Sequence, residues 1–221
     1  MSGYRHLSAV YEHLADDFLH ALYKQLIFRY TEPCSVLEIG CGTAPLGRDL
    51  AKEGYDVSGF DVSLDMLNMA AYYAGVEQVD LTLFHHDARE PFPGAYALIL
   101  MPVDVVNHFD SFTEVEAVFS HIEKALVAGG IIIFDYLDTE YMAHLIGHEE
   151  AVQVDTHNIH WRVEAVDDVF AHRHVVTVDG VTTSHVSRSY PLKEWATLWA
   201  SYEILDKITI EHRHLIVLRK R

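Results

Sequence analysis

The sequence predicts an α/β fold: a Rossmann-like, mostly parallel seven-stranded sheet with helices on both faces, plus a small antiparallel β insertion. Three observations predict it. The runs at 36–39, 96–101 and 131–134 are short and apolar apart from Glu38, as strands covered on both faces are. Stretches of helical periodicity separate them, and alternating strands and helices require a parallel sheet. The first run lies in residues 35–47, S-V-L-E-I-G-C-G-T-A-P-L-G, and passes directly into a glycine turn and a helix start. That corner, with its free N–H groups and positive dipole end, is where doubly wound sheets bind nucleotides.

Taken in order, residues 6–29 place Leu7, Val10, Tyr11, Leu14, Phe18, Ala21, Leu22 and Ile27 at spacings of three and four, the stripe of an amphipathic helix. This segment either packs on the sheet or forms a lid presenting Tyr4, Arg5 or Tyr11 to a ligand. Pro33 marks its end. A strand over 36–39, a turn over 40–42 and a helix over 45–53 follow, and Gly54 stands in its favoured place past a helix end. The second strand covers 55–60 and closes on Asp61, and Ser63 is placed to cap a helix reaching about residue 74. A third strand spans 81–84, and Pro91, Pro93 and Gly94 mark a loop before the fourth. Thr113 and Glu116 spell a capping box for a helix to about residue 127, stopped by Gly129 and Gly130. The fifth strand then ends on Asp135.

From 136 to 190 the pattern becomes alternating, over 159–166, 170–178 and 182–190, with Gly180 between two runs. These read as antiparallel strands and hairpins with one wet face. A helix over 191–201 carries Trp195 and Trp199, and 203–210 and 212–219 form a last antiparallel pair. The 221 residues thus read as one domain: an N-terminal helical lid over 1–33, a core of 34–135 with 191–221, and a β insertion over 136–190.

Composition narrows the partners. A formal net charge of −17 repels a polyanion, which argues against nucleic acid. The tail Arg219-Lys220-Arg221 reads as a solvated terminus. No apolar run is long enough to span a bilayer, and the N-terminus lacks a signal-peptide plan, so a soluble cytoplasmic protein is expected. Cys34 and Cys41 have no zinc-site spacing and read as free thiols. The chain has 16 histidines, among them the pairs His157/His160, His172/His174 and His212/His214. No cysteine or carboxylate pattern completes a metal site, so these pairs read as surface imidazoles on strands, and no metal is expected.

The chemistry begins at Asp61. It lies about 20 residues past the glycine turn, where a carboxylate accepts from a ribose hydroxyl pair in nucleotide folds. Pro45 stands where a nicotinamide fingerprint needs its third glycine, which argues against that cofactor. Five segments together resemble the class I S-adenosylmethionine-dependent methyltransferases. They are V-L-E-I-G-C-G-T-A, then Gly59-Phe60-Asp61-Val62-Ser63 with Met66, then His86-Asp87-Ala88, the run from Leu98 to Phe109, and A-L-V-A-G-G before the fifth strand. Ala44 replaces a glycine common in that family.

The resemblance implies S-adenosyl-L-methionine as cofactor. Glu38, Gly40, Cys41 and Gly42 would frame its methionine half, and Asp61, with Val62 and Met66, its ribose. Asp87 and Ala88 would meet the adenine, and the backbone from Met101 to Val103 the sulfonium. His108 is the candidate general base, Asn107 a hydrogen-bonding partner of the acceptor, and Tyr11 a further candidate from the lid. The insertion would roof the acceptor pocket, an arrangement similar to aminosugar and glycine/sarcosine-type N-methyltransferases, with Arg162, Arg188, Tyr190 and Trp161 as candidate contacts. The implied activity is methyl transfer to nitrogen or oxygen of a small molecule. The alternatives are methylation of RNA or protein, and a non-catalytic regulatory module that binds the cofactor. A second copy of the chain, as a homodimer, is a further expected partner.

Overall fold

The alternation of apolar and glycine-rich segments is realised as a layered sheet in the computed structural model, which describes residues 7–8, 10–14 and 17–221. Tyr4 and Arg5 lie outside the described residues. The strands of the main sheet are β1 (Ser35–Ile39), β2 (Asp56–Asp61), β3 (Thr82–His85), β4 (Tyr96–Met101), β5 (Leu126–Leu137), and, after an inserted sheet of four strands, β10 (Tyr202–Ile210) and β11 (Arg213–Lys220). Their spatial order is β10-β11-β5-β4-β1-β2-β3. All neighbours from β3 to β5 pair in parallel, and β11 runs antiparallel to both β5 and β10. The order reverses at β1, which pairs with β2 on one side and β4 on the other, so the glycine turn sits at the switch point of the sheet.

Side chains alternate across the sheet, and two apolar layers result. Leu37, Ile39, Ile99, Met101, Ile132 and Phe134 face one way, onto α4 (Phe112–Ala125) and Trp195 of α6 (Leu192–Trp199). Trp195 stacks on Tyr136 at 4.4 Å. Val36, Leu98, Leu100, Ile131 and Ile133 face the other way, onto α1 (Asp17–Tyr30) and α2 (Pro45–Lys52). Among the described residues, no helix is long and apolar enough to cross a membrane.

Three local expectations are corrected. The helix expected over 6–29 is divided into a 3-10 turn, Tyr11–Leu14, and α1. The cause is that its apolar residues serve different partners: Leu19, Leu26 and Ile27 pack on the main sheet, but Leu7 and Val10 pack with Met66, Ile159, Val176 and Val178. The N-cap of α4 is Ser111, not Thr113; Ser111 is extended and its Oγ accepts the Glu114 N–H at 3.2 Å. That helix stops at Ala125, and β5 begins at once and runs through Gly129 and Gly130, with a register shift against β4 where Gly129 adopts φ 73°. Ser63, by contrast, caps α3 (Leu64–Glu77) as expected, accepting from Met66 N–H at 3.3 Å.

The insertion opens with α5 (Thr139–Leu145), whose cap Asp138 accepts from two backbone amides. It continues as a separate antiparallel sheet of β6 (Glu149–Val154), β7 (His157–Ala165), β8 (Ala171–Val178) and β9 (Val181–Arg188). β8 and β9 are joined by Asp179-Gly180, both left-handed, the backbone of the tightest hairpin turns. One face of this sheet looks into the protein and carries Ile159, Val163, His172 and Val178, all buried. The 3-10 turn at the N-terminus is tied down beside it by Arg48. That guanidinium donates to both oxygens of Glu12 at 2.8 and 3.0 Å, to Glu77 at 2.9 Å and to the Thr43 carbonyl at 2.6 Å, and lies 5.0 Å from the Tyr73 ring.

Arg48→Met should therefore leave Glu12 and Glu77 without their buried donor and lower stability by about 2 kcal/mol, or about 4–8 °C in melting temperature for a chain of this size. Differential scanning calorimetry checks this. An unchanged melting temperature would show that the N-terminal segment does not depend on the clasp.

Candidate active site

The carboxyl ends of β1, β2 and β4 converge on the glycine turn. Gly40 and Gly42 are left-handed, at φ 64° and 55°. A Cβ on Gly40 would lie 2.8 Å from the Val105 side chain, so glycine is required there for space as well as conformation. Cys41 points back and packs on Gly59, and its N–H donates to Phe60 O at 3.0 Å. Ala44 also takes the left-handed form, φ 57°, ahead of Pro45 at the start of α2. This explains why the position favours glycine; alanine there costs about 1 kcal/mol.

Asp61 stitches the turn to the next loop. Its Oδ2 accepts the Gly42 N–H at 2.9 Å and its Oδ1 the Ser63 N–H at 2.8 Å. Burial raises its pKa, and these two amides oppose the rise. Each oxygen retains a lone pair for a further donor. Below the turn, Glu38 is buried, and its Oε2 has no hydrogen-bond partner. Burial pushes Glu38 up to about 8, against the Gly47 amide and the Arg48 charge. Tyr11 covers the turn from outside; a Cβ on Gly42 would sit 3.5 Å from its ring.

On the flanks, Val62 is exposed, and Met66 is buried beneath the N-terminal segment and the insertion. Asp87 accepts the Arg89 N–H at 3.0 Å, and Ala88 packs against the main core. Met101 is fully buried, so its side chain is core and its backbone alone is at the sheet edge. Val103 is exposed and left-handed at φ 58°, a strained form for a β-branched residue, and Asp104 follows at φ 49°. A buried network holds them. Asp135, two residues before the end of β5, accepts from the Asp104 N–H at 3.0 Å, from the Tyr23 hydroxyl and from Arg213, and Arg213 also donates to Asp104 at 3.0 Å. Burial works against the Asp104 charge, but Arg213 outweighs it and keeps the carboxyl below its usual range.

This turn delivers the 3-10 segment Val105–His108. Asn107 is fully buried. Its Nδ2 donates to the carbonyls of Leu137 and Arg188 at 3.2 and 2.6 Å, and its Oδ1 accepts the Leu137 N–H at 2.9 Å. The amide therefore joins β5 to β9, and the expected contact with an acceptor is corrected to a framework role. His108 is half-buried, with its ring 4.9 Å from and tilted 41° to that of His185 of β9, and in electrostatic reach of Asp61 and Asp104. Of the four candidate contacts in the insertion, Arg188 is bound to Asp168 at 2.5 Å, the Tyr190 hydroxyl donates to Phe109 O at 2.6 Å, and Arg162 pairs with Glu164 at 2.9 Å. Trp161 alone lies on the inward face, with its ring stacked against His174. His172 and His174 are thus not surface imidazoles; His157/His160 and His212/His214 do pair with carboxylates near the surface.

Sequence reasoning missed Tyr23, Asp104, Asp135, Arg213 and His185. One signal was present: Asp135 closes a buried apolar run just as Asp61 does.

A family described as a methyltransferase domain matches residues 10–199. A protein of Geobacillus sp. (strain WCH70), named as a methyltransferase, is 34% identical over 112 residues, covering 50% of this chain and 45% of its own length; the match thus spans less than half of that relative. Another so named, YqeM of Bacillus subtilis (strain 168), is 25% identical over 207 residues, covering 87% of this chain and 82% of its own. Among solved structures, an S-adenosylmethionine-dependent methyltransferase from Clostridium acetobutylicum ATCC 824 superposes with TM-score 0.82 at 17% identity, over 97% of this chain and 96% of that one. The amino pentose methyltransferase CalS10 from Micromonospora echinaspora, solved with S-adenosylmethionine bound, gives 0.75 at 15% identity, over 97% and 96%.

The raised pKa of Glu38 carries a linkage. Its neutral form is favoured by folding, so its contribution is harmless below the unfolded value near 4.5 and increasingly destabilising as pH rises to about 8. Glu38→Gln, neutral at every pH, should therefore raise the melting temperature of the ligand-free protein more at about pH 8 than at about pH 5, by a few degrees. Equal shifts at both pH values in a thermal melt would refute the buried, ionisation-averse Glu38.

Proposed function

The chain belongs to the class I S-adenosylmethionine-dependent methyltransferase family, and from that premise we propose that it transfers the methyl group of S-adenosyl-L-methionine to the nitrogen or oxygen of a small molecule. The observation that carries the small acceptor is the cover over the corner. The inserted sheet reaches His108 through His185, and packs with Leu7, Val10 and Met66 through Ile159, Val176 and Val178. An acceptor must fit beneath this roof, and a surface of net charge −17 supports a small partner over a nucleic acid.

The residues present fit the cofactor. The left-handed glycines give close backbone approach, Asp61 retains lone pairs for a hydroxyl pair, and the buried Glu38 Oε2 is a polar atom without a hydrogen-bond partner. Glu38, Gly40, Cys41 and Gly42 would hold the methionine half, Asp61, Val62 and Met66 the ribose, Asp87 and Ala88 the adenine, and the backbone at Met101 and Val103 the side facing the acceptor. When bound, S-adenosylmethionine supplies a methyl carbon already activated by its sulfonium.

The protein's work is alignment and exclusion of water. Tyr11 and the Arg48-bound segment close one side, and the insertion closes another. His108 takes the proton that an acceptor N–H or O–H must lose as the new bond to carbon forms. The carboxylates of Asp61 and Asp104 face the charge so formed on its ring. The acceptor's other end meets the inward face of the insertion.

S-adenosylmethionine or S-adenosylhomocysteine, and not NAD, should raise the melting temperature; at a hundredfold excess over Kd the gain is about 2.7 kcal/mol. Stabilisation by NAD alone would overturn the reading. Asp61→Ala should weaken binding of S-adenosylmethionine at least about tenfold in calorimetric titration, through loss of both the ribose contact and the Gly42 tie. In a screen of amines, amino acids and phenols, His108→Ala should leave that affinity intact and lower turnover by about 10²-fold or more. Turnover equal to the wild type would remove His108 from the chemistry.

A further inference from the structure

One face of the inserted sheet carries rings that the reaction described above leaves without a role. His174 of β8 stands opposite His185 of β9. Trp161 of β7 lies diagonal to His174, whose direct partner there is Val163. Together they form a column. Trp161 and His174 stack at 5.7 Å and 14°, His174 and His185 at 4.7 Å and 21°, and His185 meets His108 at 4.9 Å and 41°. His172, two residues from His174 on the same face of β8, is fully buried and meets it edge-on at 4.4 Å and 77°.

The hydrogen bonds fix which nitrogens carry protons. Indole Nε1–H only donates, and that of Trp161 lies 3.0 Å from His174 Nδ1, so this nitrogen is bare. The proton of neutral His174 then sits on Nε2 and is donated to His172 Nε2 at 2.7 Å. His172 in turn carries its proton on Nδ1, 3.3 Å from the carbonyl of Met142, which only accepts. The chain runs one way, from Trp161 through His174 and His172 to Met142. An added proton on either imidazole would set two N–H groups against each other.

Electrostatics agree. Burial, with His172 and His108 adding, pushes His174 down to about 4. Burial, with His108, His174 and His172, pushes His185 down to about 3. Burial also lowers His172. Asp104, the carboxylate that faces all three, favours their charged forms and is outweighed.

Resting on the methyltransferase reading, we propose that Trp161, His174 and His185 are positioning residues for His108: a neutral column of rings, locked by a one-way hydrogen-bond chain, that orients its imidazole toward the acceptor. A proton taken by His108 then has no imidazole of the insertion to pass to, and it stays opposite Asp61 and Asp104. No second positive charge arises beside the acceptor.

Trp161→Phe tests this, because it keeps a ring in the column and removes only the blocking N–H. In the wild-type protein, nitrogen-15 NMR of the imidazoles should show His174 as the Nε2–H and His172 as the Nδ1–H tautomer, with His174 uncharged down to about pH 5. In the variant, His174 Nδ1 has no donor, so a mixture of Nδ1–H and Nε2–H tautomers should replace the single Nε2–H form, and burial should keep the ring neutral. Turnover should then fall severalfold at about pH 6 and about pH 8.5 alike, and KM for S-adenosylmethionine should stay unchanged. His185→Ala should lower turnover and His185→Phe, which restores the ring, should recover most of it. A charged His174 in the wild type at pH 6, a single unchanged His174 tautomer in Trp161→Phe, or no recovery in His185→Phe overturns the proposal. The NMR arm needs no acceptor, so it stands even if S-adenosylmethionine fails to stabilise the protein, which would be failure of the methyltransferase reading itself.

Discussion

A buried carboxylate must find donors or cost several kcal/mol, and the arrangement of this protein's working edge follows from how Asp135 meets that demand. Its donors come from α1 through Tyr23, from β11 through Arg213, and from the backbone of Asp104. Helix, neighbouring strand and loop are thereby registered on a single side chain near the end of β5. The Asp104 bond is the consequential one. It holds two successive left-handed residues, Val103 and Asp104, in a form that a valine avoids. Relaxing that turn would move Val105, which fills the space above Gly40, and with it His108. The strain at the site and the charge beneath it are two sides of one arrangement.

How much of this was legible in the sequence depended on range. β1, β4 and the buried part of β5 announced themselves because strands covered on both faces are continuous apolar runs, and Ser63 because a helix cap acts three residues away. Asp61 was legible because its position after β2 is set by the fold's geometry. The misplacement of the α4 cap came from two overlapping patterns: S-x-x-E at Ser111–Glu114 and T-x-x-E two residues on, between which only the actual backbone decides. Gly129 and Gly130 read as a helix stop, but they lie within β5, where a bulge tolerates glycine. The contacts of the site itself were mostly illegible. Asp135 and Arg213 are 78 residues apart, Tyr23 and Asp135 112, and nothing local marks such pairs. Asn107 was chosen for its place after β4 and proved to be a joint between β5 and β9, because its burial could not be read from its neighbours.

The insertion shows the same division. Its alternation gave strands, but which face turns inward was hidden, since β8 carries histidines at 172 and 174 where a core face would normally carry aliphatics. Burial makes those imidazoles neutral, and neutrality lets each donate and accept once, so polar rings substitute for an apolar face without leaving an orphaned group between Trp161 and Met142. The lid is built on the opposite rule. Arg48, itself buried, forms ion pairs with the partly exposed Glu12 and Glu77, and these fasten the N-terminal turn.

The antiparallel placement of β11 also has a bearing on how the chain is made. β11 lies between β5 and β10, yet it follows every other strand of that sheet in sequence. A ribosome releases the strands in that order, and domains begin to consolidate as they emerge. Until β11 is released, Asp135 lacks its guanidinium and β5 presents an open edge that another chain can pair with. The nascent protein therefore passes through a stage in which its glycine corner is complete in sequence but its strained turn is unsupported. Maturation of the working edge awaits the arrival of Arg213.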